Sequence, residues 1–414
     1  MYTDVWTSYS LMSSTPEPPL SGLRILAVEQ YGAGPYGTLH LASLGAQVIK
    51  IETPGEGDVS RGVGPHFLPA EDDSSKSLFY QGLNHNKRSI GLDLDCPEGK
   101  EVLLRLAAAS DGLINNLRGD VPARLGLEYA NFRKVNKQLV CVHLSGYGRC
   151  GPRAHWPGYD YVMQARAGYF ALTGEPSGPP ARFGLSIVDL QAGVTMAMAL
   201  LAGIVGARAS GRGRDLDVSL YDVAMHNLNY VAMWSLNADY HQRRIPRSAH
   251  FSLTPCQLYR TADSWIYLMC NKEKFWRALC GIVGREDLQS DPRFASAAAR
   301  LDNREELTRH LDGILATDKT AAWLERFAGR VPAAPVLDVQ GALNDDFLRR
   351  TGRILEYQTG SGNRVRALRP PVHAQGQPPL AAAPVMGGDT NAILGRLGYS
   401  KAEILNLRQR RIVQ

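Results

Sequence analysis

The sequence predicts an α/β protein in which helices cover both faces of a parallel sheet and a second domain follows. Three observations support this prediction. At 414 residues the chain is long enough for two or three domains. Strand-like and helix-like segments alternate up to about residue 220, and the pattern changes after about residue 230.

The first elements form a compact strand–helix–strand unit. Leu23–Val28 is typical of a strand, Pro35–Leu44 of a helix that Gly45 ends, and Gln47–Ile51 of the next strand. The alternation continues with strands at Ser89–Leu94, Gly112–Asn115, Leu139–Leu144 and Asp215–Leu220, and with helices at Glu98–Ala109, Tyr161–Phe170 and Ala192–Ala207. Neighbouring strands joined by helices are expected to run parallel.

A different pattern marks the predicted second domain, residues 235–340. A hairpin turns around Ala262–Ser264, and helices are expected at about 273–283, 304–315 and 320–329. Residues 367–385 are rich in Pro, Ala and Gln and predict extended surface chain. Two short helices are expected at 390–397 and 401–409. Residues 1–20, rich in Ser, Thr and Pro, predict a flexible tail.

Composition excludes several classes of function. Lysine and arginine (46) exceed aspartate and glutamate (40) by six, without a long basic run, which favours small anionic ligands over nucleic acid. The six cysteines contain no C-x-x-C pair and no two histidines stand at metal spacing, so no metal site is predicted. No secretion signal is recognisable, and sparse cysteines suit a reducing compartment such as the cytoplasm.

The longest apolar stretch is Ala192–Ala207, with charged Asp189 and Arg208 on either side. A membrane span needs about 18 to 20 residues, which exceeds the length of this stretch. We therefore expect a buried core helix and no membrane partner.

The segment Gly32–Gly37 fits G-x-G-x-x-G between a strand and a helix, and Glu52 ends the next strand. This pattern is typical of a dinucleotide site, with a pyrophosphate at the helix start and the acidic residue on the ribose. The alternative is a tight turn with Pro35 at the first helical position. Because Pro35 removes a donor, contact with a phosphate or pantetheine is favoured over NAD.

Loops at strand ends carry further candidate ligand-binding residues. Arg61 and the pair Lys87–Arg88 could hold phosphates, although taken alone such residues are more often solvated loop charges. Arg124 lies between apolar residues and is either a surface arginine whose stem covers them or an anion-binding one.

Asp189 precedes the apolar helix and has two interpretations. As a helix cap it would accept a backbone N–H group. As a partly buried carboxylate at a helix N-terminus it could attack an activated acyl group. Asp160 supplies a second carboxylate before another helix. No histidine pairs with a G-x-S-x-G serine, so a Ser–His hydrolase is not supported.

Read together, these segments resemble the family III coenzyme A transferases, the group that includes formyl-CoA transferase and carnitine CoA-transferase. The resemblance runs from about residue 20 to the C-terminus. It rests on a run of short motifs in family order: Leu20–Leu26, Ala33–Pro35, Leu44–Glu52, Gly57–Asp58, Asn86–Ile90, Arg124–Leu127, Ser145–Gly148, Gly158–Asp160, Gly211–Gly213 and Ser219–Asp222.

The resemblance implies roles for individual residues. The nucleophilic aspartate of the family falls on Asp189, and the positions that contact coenzyme A fall on Gly32, Ala33, Leu92, Asn116, Leu117, Arg118, Arg124, Tyr159 and Asp160. Gly32 stands where formyl-CoA transferase has a glutamine, Gly387–Thr390 replaces Gly-Glu-His-Thr, and the glycine-rich lid has no counterpart. These departures argue against formyl or oxalate specificity.

The same superfamily includes the α-methylacyl-CoA racemases, which use a histidine–aspartate pair where this chain has Tyr159–Asp160. Racemisation needs a second proton-transfer group, and tyrosine is a poor one at neutral pH. A CoA-transferase is therefore favoured, with the racemase and an NAD-dependent oxidoreductase as alternatives.

The resemblance also implies an architecture and a mechanism. The fold would be a Rossmann-like large domain, built from residues 21–234 and a return segment at 341–414, plus the small domain, in an interlocked homodimer. Coenzyme A would be a co-substrate, with no permanently bound cofactor, and the reaction would pass through an aspartyl anhydride and an aspartyl–CoA thioester.

Basic residues in the second half are compatible with a dicarboxylate substrate, because the carboxylate that does not react needs a cation when it leaves water. The candidates are Arg243, Arg244, Arg247, Arg364, Arg366 and Arg369. Surface solvation is the alternative for most of them, and a monocarboxylate stays open.

Overall fold

The computed structural model describes residues 16–70 and 73–414, which form two compact units. The large unit comprises the described residues up to Ala167, together with Gly184–Asn229 and Gly352–Gln414. The small unit comprises Gly168–Phe183 and Tyr230–Thr351.

The described residues contain eleven strands in three sheets. The strands are β1 (Arg24–Val28), β2 (Gln47–Glu52), β3 (Arg88–Gly91), β4 (Gly112–Asn115), β5 (Val140–Ser145), β6 (Arg214–Ser219), β7 (Cys256–Arg260), β8 (Trp265–Met269), β9 (Ala333–Pro335), β10 (Ile354–Gln358) and β11 (Arg364–Leu368).

The α-helices of the described chain include one much longer than the others. They are α1 (Ala33–Ser43), α2 (Leu78–Asn84), α3 (Pro97–Ala108), α4 (Val121–Leu125), α5 (Tyr129–Phe132), α6 (Asp160–Arg166), α7 (Tyr169–Leu172), α8 (Ile187–Ser210), α9 (Leu220–His226), α10 (Asn229–Ala238), α11 (Glu273–Ile282), α12 (Ala297–Asp302), α13 (Arg304–Leu315), α14 (Thr320–Phe327), α15 (Val339–Leu343), α16 (Asp346–Arg350), α17 (Thr390–Arg396) and α18 (Lys401–Gln409).

The sheet of the large unit is six-stranded and parallel, in the order β3-β2-β1-β4-β5-β6. The predicted parallel sheet and α/β class are therefore confirmed. The order reverses between β1 and β4, and such a reversal opens a crevice at the carboxyl ends of the two strands. Strands β4 and β5 are buried throughout, β1 is buried apart from Arg24, and all three are mostly apolar, as is typical of parallel strands covered on both faces.

The long helix α8 crosses α1 at a seam of glycines. A Cβ atom built on Gly37 would lie 2.3 Å from the Gly193 carbonyl oxygen, and one on Gly193 would lie 2.4 Å from the Ala33 carbonyl oxygen. Only glycine permits this approach at both positions. The seam fixes the first turn of α8 beside the turn that follows β1.

Helix α8 differs from its prediction at both ends. It begins five residues before Ala192, so Asp189 lies at its third position rather than ahead of it. Among the described residues it is the one helix long and apolar enough to cross a membrane, and in the large unit it packs against α1, β5 and β6. The predicted helix Tyr161–Phe170 is interrupted at Gly168, whose φ of 86° ends it.

The return segment closes the far edge of the sheet. After the antiparallel pair β10–β11, which the sequence analysis missed, residues 412–414 run beside β3. The Gln414 N–H donates to the Gly91 carbonyl at 3.2 Å, and the Asp93 N–H donates to the Ile412 carbonyl at 2.9 Å. The end of the described chain is thus part of the large unit.

The small unit has its own hydrophobic core. It forms where the antiparallel sheet β7-β8-β9 packs with α11, α13 and α14, around Trp276, Phe294 and Leu311. Each of these three side chains is almost fully buried.

Candidate active site

A cavity of about 540 Å³ opens at the reversal point of the large sheet. Its walls come from the segments that follow β1, β4 and β5 and from the start of α8. It is lined by Gln30, Tyr31, Gly32, Ala33, Val59, Asn116, Leu117, Arg118, Leu144, Ser145, Gly146, Trp156, Pro157, Gly158, Tyr159, Asp189 and Leu220. Of these, only Arg118 and Asp189 carry charge.

The turn after β1 is held from two sides. The Asn116 side chain accepts the Gln30 N–H at 2.9 Å and donates to the Gln30 carbonyl at 2.7 Å. The Asp58 carboxylate accepts the Tyr31 N–H at 2.9 Å. Because both groups are occupied in this way, Asn116 and Asp58 position the turn that leads to Gly32.

Behind the turn lies a buried charge cluster of three cations and three carboxylates. Its members are Glu29, Lys50, Glu52, Asp58, Arg61 and Lys87. The Lys50 ammonium lies 2.7 Å from Asp58, the Lys87 ammonium 2.8 Å from Glu29, and the Arg61 guanidinium 2.7 Å from Glu52. Buried charges of equal number and opposite sign offset much of one another's desolvation cost.

The cluster controls the ionisation of its members. Burial would raise the pKa of Glu52, but the hydrogen bond and charge of Arg61 hold that pKa below its ordinary value. Burial opposes the charge of Lys50 too, yet Asp58 and Glu29 raise its pKa above the usual value. For Lys87 burial prevails and lowers the pKa to about 8.

Gly32 faces the carboxylate of Asp189. A Cβ atom at position 32 would lie 3.0 Å from Asp189 Oδ2. Any larger side chain would therefore occupy space directly in front of the carboxylate. Glycine here leaves that face of Asp189 open to the cavity.

Asp189 is 9% exposed, and its carboxylate has no hydrogen bond or ion pair with any other described residue. Its own backbone N–H donates to the Asp160 carboxylate, with an N–Oδ2 distance of 2.9 Å. Burial, and then the negative charge of Asp160, raises the pKa of Asp189 to about 7. The result is a basic carboxylate beside an open cavity, which is the state expected of a nucleophile.

Most of the predicted site residues meet at this cavity. Gly32, Ala33, Asn116, Leu117, Arg118 and Tyr159 line it together with Asp189. Asp160 lies just beneath, 5% exposed, with one oxygen on the Asp189 N–H and the other on the Gln164 amide. Arg118 forms an ion pair with Asp120 through two hydrogen bonds.

Two predicted residues lie elsewhere. Leu92 is 1% exposed, belongs to the hydrophobic core and pairs with Val413 at the sheet edge. Arg124 is exposed and its guanidinium lies 2.7 Å from the Asp95 carboxylate. Neither side chain lines the cavity around Asp189.

Other residues of the site were not predicted from the sequence. Tyr31, Val59, Ser145 and Trp156 line the cavity without having been singled out. For Lys50 a signal existed, because a charged residue inside the otherwise apolar centre of β2 requires a buried partner.

The dinucleotide interpretation of Gly32–Gly37 does not fit the structure. Both oxygens of Glu52 are occupied: one binds Arg61 and Ser89, and the other binds Arg61 and the Asp58 N–H. No acceptor is left for a ribose. Gly37 serves the α1–α8 seam, and Pro35 is the third residue of α1 rather than the first.

Several arginines proposed for a dicarboxylate already have internal partners. Arg244 donates to three backbone carbonyls within the small unit, and Arg247 lies 2.7 Å from Asp312 there. Arg364 pairs with Glu356 across β10–β11. Within residues 16–70 and 73–414, no group of three or more histidine, cysteine or acidic residues could hold a metal.

The large unit thus combines a six-stranded parallel α/β sheet with a buried carboxylate at the reversal point of its strand order. The chain belongs to CoA-transferase family III, whose model matches residues 20–390. It is thus a CoA-transferase, as the sequence resemblance predicts, rather than an oxidoreductase.

Known relatives agree with this assignment. A succinate–glutarate CoA-transferase of Agrobacterium fabrum is 31% identical over 92% of this chain and 96% of its own length. An acetyl-CoA:oxalate CoA-transferase of Acetobacter aceti is 34% identical over 80% of this chain and 83% of its own. The crystal structure of a CAIB/BAIF family protein from Brucella suis superposes with a TM-score of 0.79 at 29% identity, covering 92% of this chain and all of that one.

Proposed function

We propose that this enzyme transfers coenzyme A from an acyl-CoA thioester to a free carboxylic acid, with Asp189 as the nucleophile. The observation that supports this most directly is the carboxylate itself. It is buried, unpaired among the described residues and open to the cavity through Gly32. Carboxylates whose pKa is raised by burial in a cleft are concentrated at catalytic sites.

The reaction proceeds by two exchanges on Asp189. A carboxylate oxygen adds to the thioester carbonyl, the C–S bond breaks, and CoA thiolate leaves behind an aspartyl–acyl anhydride. The thiolate then adds to the aspartyl carbonyl and expels the first acid, which leaves an aspartyl–CoA thioester. The acceptor carboxylate reverses both steps and departs as the new thioester, so that Asp189 is regenerated.

The surrounding residues assist without forming bonds to carbon. The first N–H groups of α1, beside Gly32 and Ala33, have no partners within the helix and can stabilise an oxyanion. Leu117, Tyr159 and Trp156 give the cavity an apolar wall beside the position of the anhydride. Arg118 is the cation of the cavity and suits a phosphate of coenzyme A.

The substrates we propose are dicarboxylates of four or five carbons. Relatives are named for succinate, glutarate, oxalate and mesaconate. Gly32 leaves room beside the nucleophile for more than a formyl group. Among the arginines considered from the sequence, Arg243, Arg366 and Arg369 make no ion pair with a described residue, whereas Arg244, Arg247 and Arg364 are engaged.

We further propose an interlocked homodimer in which residues 235–340 form the small domain. Its hydrophobic core within the small unit supports the domain proposal. A cytoplasmic location, no permanently bound cofactor and no membrane or nucleic-acid partner complete the proposal.

The test is CoA exchange between succinyl-CoA and a panel of mono- and dicarboxylic acids by the wild-type enzyme and Asp189→Ala. We expect exchange with C4–C5 dicarboxylates and a loss of at least about 1,000-fold in the variant, since covalent catalysis has no substitute group here. Mass spectrometry after incubation with acyl-CoA should find CoA attached at Asp189.

The matched control is Asp215→Asn, which alters a carboxylate near the amino end of β6 that also accepts a backbone N–H. It should retain exchange. Turnover by Asp189→Ala, or a thioester trapped on another residue, would refute the assignment of the nucleophile. Equal use of monocarboxylates would refute only the substrate proposal.

A further inference from the structure

A backbone N–H group at the N-terminus of α8 donates a hydrogen bond to a carboxylate from outside the helix. Ser186 precedes the helix but provides no side-chain cap, and the N–H at its third position binds Asp160, which lies 29 residues earlier on α6. A carboxylate at the third position of a helix ordinarily turns back to the backbone N–H of the residue that precedes the helix, here Ser186. The Asp189 carboxylate makes no such bond with a described residue, and Asp160 places a second carboxylate on the Asp189 N–H.

Asp160 is itself fixed. Its other oxygen accepts the Gln164 amide at 2.5 Å, and the same amide donates to the Leu185 carbonyl at 3.0 Å. Gln164 thus links Asp160 to the residues just before α8. Asp160 is 5% exposed, so its side chain is held in place by the surrounding residues.

We propose that Asp160 is a positioning residue for the transfer reaction: its carboxylate, held on the Asp189 N–H and by Gln164, repels the nucleophilic carboxylate from the start of α8 and so keeps it unbonded and turned toward the cavity. This proposal rests on the assignment of Asp189 as the nucleophile. It gives Asp160 a role different from contact with coenzyme A.

Among the charged groups near α8, Asp160 is the one that affects the pKa of Asp189. Burial and Asp160 account for the raised pKa of Asp189. The elements packed against α8 carry further titratable residues that contribute no shift to it: Tyr36 and His40 on α1, Tyr161 and Arg166 on α6, Cys141 and His143 on β5, Arg214, Asp215 and Asp217 on β6, and Tyr221, Asp222 and His226 on α9. Arg118, across the cavity, is paired with Asp120.

Two substitutions separate charge from hydrogen bonding. Asp160→Asn keeps an oxygen for the Asp189 N–H but removes the negative charge. Asp160→Ala removes both, so that the Asp189 carboxylate is no longer repelled from the N–H groups at the start of α8. We expect the first variant to lower the pKa of the nucleophile and the second to turn it away from the substrate as well.

The experiment measures the rate of formation of the enzyme–CoA thioester against pH, using succinyl-CoA and the full-length enzyme. The wild-type rate should rise through a midpoint near the pKa of Asp189, about 7. Asp160→Asn should move this midpoint downward, because the negative charge of Asp160 adds to the effect of burial in raising the pKa of Asp189. Its plateau should fall because a less basic carboxylate is a weaker nucleophile.

Asp160→Ala should lower the plateau by a further factor of about 10 to 100, with an unchanged KM for acyl-CoA. Asp215→Asn is again the control, with the wild-type midpoint expected, and melting temperatures exclude global unfolding. An unmoved midpoint in Asp160→Asn overturns the proposal, as does a pure increase in KM, which would indicate contact with substrate. If Asp189→Ala still forms the thioester, the proposed function fails instead, so the two failures are distinguishable.

Discussion

At the scale of single residues, the site depends on a carboxylate held where it is costly to ionise. Asp189 has no donor among the described residues and lies beside the second carboxylate, Asp160. Its pKa in the folded protein, about 7, lies well above its ordinary value of 3.8. Between these two values the folded state binds more protons than the unfolded state, so the free energy of unfolding falls as pH rises toward 7.

Replacement of the charge should therefore stabilise the protein. We expect Asp189→Asn to raise the free energy of unfolding by on the order of 2 kcal/mol at pH 8 and by little near pH 4, where the wild-type carboxyl is protonated. Thermal melts at the two pH values check this. Asp215→Asn should show no gain at pH 8, because the pKa of Asp215 is lowered, through its bonds to His143 and Tyr129. An equal melting temperature for Asp189→Asn and wild type at pH 8 would contradict the account.

The sequence identifies Asp189 as a candidate but cannot choose between helix cap and nucleophile. The choice depends on which carboxylate reaches the N–H at position 189, and Asp160 does so only once α6 packs beside α8. The charge cluster could not be predicted from the sequence either, because Glu29, Lys50 and Lys87 come together only when β1, β2 and β3 pair. By contrast, the family resemblance implies that Leu92 and Arg124 contact coenzyme A, yet both side chains lie outside the cavity.

At the scale of elements, regular strands and helices follow from the pattern of apolar residues. Strand β4 has the predicted bounds, and the three helices predicted for the small unit, observed as α11, α13 and α14, end within two residues of their predicted bounds. The hairpin β10–β11 was missed because it lies mostly at the surface: Tyr357 and Val365 are its buried residues, too few for a clear alternation. The start of α8 was misplaced because Ile187–Leu190 contains the charge that serves the site.

The glycine seam between α1 and α8 predicts a size limit at Gly37. In Gly37→Ala the new Cβ would meet the Gly193 carbonyl, which is backbone and cannot rotate away. We expect the free energy of unfolding to fall by about 2 kcal/mol despite the better helix propensity of alanine, and turnover to fall as the start of α8 shifts. Chemical denaturation of the purified enzyme measures the change in the free energy of unfolding.

Gly206→Ala on the same helix is the matched control. Its Cβ would have only the Arg214 guanidinium within 4 Å, at 3.9 Å, so propensity alone should act and stability should stay equal or rise. Equal effects of the two substitutions would show that helix propensity, rather than the close crossing, determines the result.

At the scale of the whole molecule, the outer face of α8 is unusual. Val194, Met198 and Val205 are 42%, 63% and 69% exposed on a helix that is apolar around most of its circumference. Helices apolar on all sides are ordinarily covered. The proposed second copy of the chain is the cover that we infer for this face.

The proposed dimer predicts the mass of the protein in solution. Light scattering should give twice the mass of one chain, and the value should persist on dilution, since separating interlocked chains requires unfolding. Val205→Glu should weaken or prevent dimer formation. Gln191→Glu is the control: it introduces a charge where the side chain is already exposed and polar, so the mass in solution should not change. A monomer at micromolar concentration in the wild type would contradict the proposal.

The closure of the sheet by residues 412–414 has a consequence for the order in which the protein is made. The strands β1–β6 leave the ribosome early, but β3 gains its outer neighbour only after Gly352–Gln414 has been synthesised. The core of the small unit draws on a single continuous stretch and can form while that last segment is still being translated. The catalytic unit is therefore the later of the two to mature, and its half-built sheet edge is the surface that a chaperone would need to shield during synthesis.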